Sequence, residues 1–277
     1  MGASADRGLT TMDLGGAPVG EYNSSLTRIA PVFDRLFAVC PDGEAWLPAL
    51  LRLGDRASGV NDLPSQPRLV SGHGPTWGKS EMALPAPRGL LEYLVQNITL
   101  EQVARSGDTG NVRKLREALA RRDAGTITRA LQEIRAGHTL RRGWYLLEGD
   151  SRPDATLEMD GHVLLVEGKR TERSCTSRTK WMGRRSQLLR HMDAASEYFP
   201  GKRVLGLLLV EGAGGSDAIE PSAHWVAESR AQYECEMLLS SLPHRSPSER
   251  SALAAGMLGV ATWQGLCVKN GIPWPPS

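Results

Sequence analysis

The dipeptide Asp160-Gly161 constrains the fold of this chain more than any other feature of its sequence. Such pairs are typical of two-residue type I′ hairpin turns, because both central positions of that turn need positive φ. Four apolar residues, Val163–Val166, follow one position after the turn. An apolar run of this length predicts a strand that is buried on both faces inside a covered sheet.

The register of this hairpin would bring two carboxylates together. Counting outward from the turn, Leu157 pairs with Leu164 and Asp154 pairs with Glu167. Directly opposed residues have Cβ atoms about 4.5–5.5 Å apart, so the two acids need a cation between them or a shared proton. Lys169 lies two residues beyond Glu167 and projects from the same face. A register slip of one residue would separate the acids.

These side chains suit divalent-metal chemistry on a phosphodiester. Mg²⁺ prefers oxygen ligands and needs only one or two carboxylates together with a substrate phosphate. We therefore expect Asp154 and Glu167 to bind Mg²⁺ or Mn²⁺, and Lys169 to stabilise charge in the transition state. The alternative is a surface hairpin with a structural ion pair, because a Glu-x-Lys triplet alone is common.

Pro153-Asp154 and Glu167-Gly168-Lys169 resemble the motif of the PD-(D/E)xK nuclease superfamily, over roughly residues 126–211. The resemblance implies a catalytic trio of Asp154, Glu167 and Lys169. It also implies an α/β fold with a restriction-endonuclease-like core, in which helices flank a mixed central sheet. We expect further helical segments at both ends of the chain.

Some exonuclease-like members of that superfamily also carry a glutamine on the following helix, with a tyrosine four residues later. Gln187 matches the glutamine, and His191 stands in the place of the tyrosine. We expect Gln187 to assist catalysis by orienting water or phosphate. The alternatives are an exposed amide for Gln187 and a structural role for His191.

The segment after Lys169 is strongly basic, although the whole chain carries a net charge of only +2. Between Lys169 and Arg190 the only acid is Glu172. We expect the cations there to contact nucleic-acid phosphates. They are Arg170, Arg173, Arg178, Lys180, Arg184 and Arg185. The alternative is a solvated helix face, which we favour for a second, more diluted basic stretch over 113–142.

Periodicity and turn signals predict two regions: residues 1–100, mostly helical with a Gly/Pro-rich loop, and residues 101–277, the nuclease-like domain with C-terminal helices. The loop is expected over 55–88. Ser246-Pro247-Ser248-Glu249 predicts a capped helix that continues to about Cys267. The core elements expected in chain order are a helix over 126–136, strands over 144–148, 155–159 and 162–167, a helix over 179–199 and a strand over 204–210.

Other features limit location and chemistry. The longest apolar runs fall well short of the roughly 20 residues that a membrane-spanning helix needs. The first 20 residues lack the pattern of a signal peptide. The four cysteines are scattered without a C-x-x-C spacing, which predicts no structural zinc and fits a reducing cytosol. We therefore expect a cytoplasmic protein without membrane contact.

These observations together predict a metal-dependent nuclease. DNA is favoured over RNA, because the families it resembles act mostly on DNA. The alternative is a catalytically inactive nucleic-acid-binding or assembly protein with a nuclease-like fold, and a third interpretation is an unrelated α/β protein with a structural hairpin. A homodimer or a complex with a partner protein is compatible with each.

Overall fold

The computed structural model describes residues 25–74, 81–137 and 143–275. Its strands are β1 (Leu69–His73), β2 (Ala155–Met159), β3 (His162–Lys169), β4 (Thr176–Ser177), β5 (Arg185–Ser186), β6 (Arg203–Val210) and β7 (Met257–Thr262). Its α-helices are α1 (Ala30–Val39), α2 (Leu47–Leu51), α3 (Arg88–Asn97), α4 (Leu100–Arg105), α5 (Gly110–Ala120), α6 (Ala124–Arg135), α7 (Gln187–Tyr198), α8 (Ala223–Ala231), α9 (Cys235–Ser241), α10 (Pro247–Ala255) and α11 (Trp263–Lys269). A π-helical turn (Ser25–Ile29) and two 3₁₀ turns (Ala57–Gly59 and Gly215–Asp217) complete the described elements.

The central sheet has five strands in the order β1-β2-β3-β6-β7. The pairs β1/β2 and β2/β3 are antiparallel, whereas β3/β6 and β6/β7 are parallel. Strands β4 and β5 form a separate two-stranded ribbon. The prediction of a mixed central sheet flanked by helices is confirmed. Helix α7 connects the two buried parallel strands β3 and β6.

The β2/β3 hairpin has the predicted register, with Met159 opposite His162 and Leu157 opposite Leu164. Its turn differs from the predicted type. Gly161 has φ of +68°, but Asp160 is not among the described non-glycine residues with positive φ. One positive φ at the second central position is the pattern of a type II turn, which still allows a two-residue connection.

The first strand of the sheet does not come from the predicted segment. Residues 144–148 form a turn and irregular chain, and their apolar side chains, Tyr145 and Leu147, are buried among α3 and α6 instead. The edge strand β1 lies within the segment 55–88 that we predicted as a loop. Aromatic and aliphatic residues favour strands only where they fit a half-buried sheet surface, and a helical cluster satisfies the same burial.

Two predicted helices were too long. The capping box of Ser246 and Glu249 starts α10 as expected, but the helix ends at Ala255 and β7 comes next. A short apolar run does not distinguish a buried strand from a helix, and Met257–Thr262 is buried throughout. The helix predicted over 179–199 begins only at Gln187, where the Ser186 side chain caps the backbone N–H of Leu189.

Helices cover both faces of the sheet. The π-turn, α1, α2 and α11 pack on one face, where Phe33, Leu47 and Trp263 meet Leu157 and Leu164. Helix α7 packs on the other face. A further cluster joins α3 to α6, with Trp181 in it. Both predicted regions therefore contribute to one sheet and its covering helices. No helix in the described ranges is long and apolar enough to cross a bilayer.

Candidate active site

The four predicted catalytic residues lie at one end of the sheet. Glu167 and Lys169 occupy the C-terminal part of β3, and Asp154 directly precedes β2. Gln187 is the first residue of α7. Strands β3, β6 and β7 are parallel, so their carboxyl ends share this edge. Ligands of open α/β sheets bind beyond the carboxyl ends of the strands.

Lys169 connects two of the other predicted residues. Its Nζ donates to Glu167 Oε1 at 2.7 Å and to Gln187 Oε1 at 3.0 Å. Burial opposes the charged form of Lys169, but the charge and hydrogen bond of Glu167, together with the charges of Glu172 and Asp154, outweigh burial and raise the pKa of the ammonium group. Lys169 is therefore a fixed positive charge in a site where its side chain is only 7% exposed.

Glu167 is equally buried and is ionised. Burial alone would raise the pKa of Glu167, but the hydrogen bond to His191 and the charge of Lys169 outweigh it and hold that pKa below its usual value. Asp154 lies beside this pair, because its Oδ2 accepts a hydrogen bond of 2.7 Å from the backbone N–H of Gly168. All four predicted catalytic residues are thus brought together around the end of β3.

Two further residues belong to this network. His191 Nε2 lies 3.0 Å from Glu167 Oε2, and His191 Nδ1 lies 2.6 Å from Ser151 Oγ. The spacing of His191, four residues after Gln187, placed both side chains on one face of the helix, but it did not predict the contact with Glu167. No signal in the sequence marked Ser151, because its contact depends on how α7 lies against the chain before β2.

The order of serine, imidazole and carboxylate is that of acyl-transfer enzymes, but Ser151 does not fit that role. Its residue is only 2% exposed. Its backbone N–H and carbonyl both pair with Leu84, at 2.7 and 2.8 Å. A nucleophile must reach its substrate, so this serine supports the imidazole from inside the protein.

The structure divides the predicted phosphate-binding residues into two groups. Arg173, Arg178, Lys180 and Arg184 are exposed, and Arg170 is partly buried beside Glu211. Arg185 differs from our expectation, since it is 1% exposed and its NH2 lies 2.8 Å from the Glu148 carboxylate. Its place in β5, next to the buried cap of α7, turns it into the protein.

Glu148, which is not one of the predicted catalytic residues, forms its own buried cluster. Besides Arg185 it binds Arg190 at 2.7 Å and accepts a hydrogen bond of 3.1 Å from Thr179 Oγ1. Glu148, Thr179 and Arg190 line a cleft of about 1010 Å³ between α3, α6 and α7. The cleft wall does not include Glu167 or Lys169.

The side-chain oxygens of this site are of the kind that binds a divalent metal ion. Asp154 and Glu167 offer carboxylate oxygens of the hard type that Mg²⁺ and Mn²⁺ prefer, whereas the amide oxygen of Gln187 is already bonded to Lys169 Nζ. Among the described residues, no three His, Cys, Asp or Glu side chains converge on one point. An ion bound by Asp154 and Glu167 would therefore need substrate phosphate and water as its remaining ligands. Since Lys169 and His191 contact both oxygens of Glu167, that ion would share this carboxylate with them.

Comparison with known proteins gave no match for this chain, whether with a family model, a curated protein or a solved structure. The function of the chain must therefore be inferred from its own residues and their geometry.

Proposed function

We propose that this chain is a metal-dependent nuclease with a restriction-endonuclease-like core, which hydrolyses phosphodiester bonds, with DNA favoured over RNA. The observation that carries the proposal is the position of Lys169 Nζ between Glu167 and Gln187, with Asp154 held on Gly168. A carboxylate pair, a fixed ammonium group and an amide at the end of buried parallel strands form a site suited to phosphate chemistry.

Each residue has a defined role in this proposal. Asp154 and Glu167 would hold Mg²⁺ or Mn²⁺, which when bound polarises a phosphoryl oxygen and acidifies a water. Lys169 keeps its proton and places positive charge where the phosphate gains negative charge. Gln187 fixes the ammonium group through its Oε1 and leaves its amide N–H₂ as a donor for substrate.

The exposed cations support binding of a polyanion beside this site. Arg173, Arg178, Lys180 and Arg184 lie in the segment that connects Lys169, at the end of β3, to Gln187, at the start of α7. The segment therefore begins and ends at proposed catalytic residues. Such residues would hold the backbone of a nucleic acid through its phosphates without reading its bases.

The proposal is tested by nuclease assays on plasmid, linear duplex, single-stranded DNA and RNA with Mg²⁺, Mn²⁺ or EDTA. We expect metal-dependent cleavage that falls by about 10²–10³-fold in Lys169→Met, because one preorganised electrostatic group is removed. Lys202→Met is the matched control, since Lys202 pairs with Glu158 at 2.9 Å near the opposite end of the hairpin. Equal cleavage by Lys169→Met and the wild type would refute the site.

One observation favours the alternative of a binding or assembly protein that does not cleave. Both oxygens of Glu167 already have partners in Lys169 and His191, as in a self-contained buried ion pair. This alternative predicts nucleic-acid binding that survives chelation, with no cleavage under any metal. The same assays, together with binding measured in EDTA, separate the two functions.

A further inference from the structure

The hydrogen bonds of His191 determine which of its nitrogens carries a proton. Nε2 faces the ionised Glu167, so a lone pair on Nε2 would point at a negative charge. Nδ1 faces the Ser151 hydroxyl, which can donate to it or accept from it. In a neutral ring Ser151 donates to Nδ1, and in a charged ring both nitrogens donate. Nε2 therefore carries a proton in either state.

The surroundings of the ring hold this arrangement in place. Ser151, His191 and Glu167 are each 2% exposed. The backbone pairing of Ser151 with Leu84 fixes the position from which its hydroxyl reaches the ring. A buried imidazole is costly unless its nitrogens are hydrogen-bonded, and here both are. The contacts thus form one chain from the loop before β2, through α7, to the end of β3.

We propose that His191 is a positioning residue for Glu167: its Nε2–H holds Oε2, so that Oε1 faces Lys169, and Ser151 sets the orientation of the ring. The inference rests on the proposed function, in which Glu167 is a metal ligand. Partners that orient such a ligand commonly change metal affinity or activity by about 10–100-fold when they are removed.

The first test compares His191→Leu with His191→Gln. Leucine fills the buried site but has no donor, whereas the amide nitrogen of glutamine can replace the Nε2–H. We expect kcat and Mn²⁺ affinity, measured by titration calorimetry, to fall about 10–100-fold in His191→Leu, with KM for DNA unchanged, and to recover in large part in His191→Gln. His244→Leu is the control, because His244 is also buried beside a carboxylate, 3.2 Å from Asp193.

The second test does not depend on activity. The ¹⁵N shifts of the imidazole ring should show a protonated Nε2 in the wild type, and Ser151→Ala should change the Nδ1 shift most. A wild-type ring protonated only on Nδ1 would overturn the inference. Unchanged kcat and Mn²⁺ affinity in His191→Leu would overturn it while the nuclease proposal stands. A wild type that neither cleaves nor binds Mn²⁺ would overturn both proposals.

Discussion

At the scale of single residues, the charges of Lys169 and Glu167 should be strongly coupled, so that removing one of them alone destabilises the fold. Their side chains are 7% and 3% exposed. Removing one partner from a buried pair leaves an uncompensated charge, which costs about 3–5 kcal/mol. We expect Lys169→Met to lower the free energy of unfolding by about 3 kcal/mol, since His191 still supports Glu167, and Glu167→Gln in the same chain to restore part of it.

Urea denaturation of the two single variants and the double variant measures this coupling. The pair of Lys202 and Glu158 is the control, because both of its side chains are 23% exposed, and coupling weakens as water reaches an ion pair. Additive losses from Lys169→Met and Glu167→Gln would contradict the expected coupling.

Asp108 should make the stability of the protein depend on pH in the acid range. Burial raises its pKa, but hydrogen bonds from Lys180, Arg116 and Ser106 outweigh burial and lower the pKa to about 2. Because the folded pKa is below the unfolded one, this stabilisation is complete above the unfolded value of about 3.9 and is lost as the pH falls through the folded value.

We therefore expect Asp108→Asn to lower the free energy of unfolding by about 1–2 kcal/mol at neutral pH, with a difference that shrinks below about pH 4. Chemical denaturation over a pH series measures it. Asp62→Asn should have little effect at any pH, because the Asp62 side chain is 84% exposed beside Arg203. A difference that stays constant into acid would show that the Asp108 carboxylate is not the source of the stabilisation.

The sequence alone predicts the positions of the residues that the Asp160-Gly161 turn fixes. The register of the hairpin is set by the position of Asp160-Gly161, and it brings Asp154 to the end of β3. The contact of His191 with Glu167 needs the position of α7 over the sheet, which no local signal gives. The burial of Arg185 depends on Glu148, which reaches it from a segment far away in sequence.

At the scale of secondary-structure elements, cap and turn residues were sufficient to predict where an element begins. Runs of apolar residues alone were not sufficient to predict whether a segment forms a strand or a helix. The capping box at Ser246 marks the start of α10, and the Asp160-Gly161 turn sets the pairing of β2 with β3. Strands β1 and β7 are short segments, and their contacts with neighbouring parts of the chain decide that they form strands. β7 lies in the sheet because Asp55 and Arg56 bond to its outer edge, through the carbonyls of Val260 and Leu258.

The packing of β3 against α11 gives a prediction at this scale. A Cβ atom added at Gly168 would lie 2.9 Å from Trp263 Cζ2 and 3.1 Å from Ile29 Cδ1. Both neighbours are fully buried, so we expect Gly168→Ala to cost about 1–3 kcal/mol of stability. Gly149→Ala is the control, since nothing lies within 4 Å of a Cβ there. Thermal unfolding compares the two variants. Equal melting temperatures would show that Trp263 and Ile29 can shift to accommodate the added methyl group.

At the scale of the whole molecule, the basic segment between β3 and α7 should make nucleic-acid binding sensitive to salt. The observed slope of log K against log salt is about −0.9 for each phosphate neutralised on duplex DNA. We expect the triple variant Arg173→Ala, Arg178→Ala, Arg184→Ala to reduce the magnitude of that slope by about 2–3, because all three side chains are exposed in the segment between β3 and α7.

Fluorescence anisotropy with labelled DNA in a KCl series, with EDTA present to prevent cleavage, measures the slope. The matched control is Lys114→Ala, Arg121→Ala, Arg129→Ala, which removes the same number of exposed charges from the second basic stretch. If both triple variants reduce the slope of log K against log salt equally, the protein attracts DNA through its overall positive charge and has no defined binding face.

The origin of β1 has a consequence for how the chain can be divided. This strand comes from the first hundred residues, yet it pairs along the outer edge of β2, and α1 and α2 from the same part cover one face of the sheet. A fragment that starts at residue 101 would keep every proposed catalytic side chain. It would also present a bare strand edge and an apolar surface to water, a combination that favours self-association over independent folding.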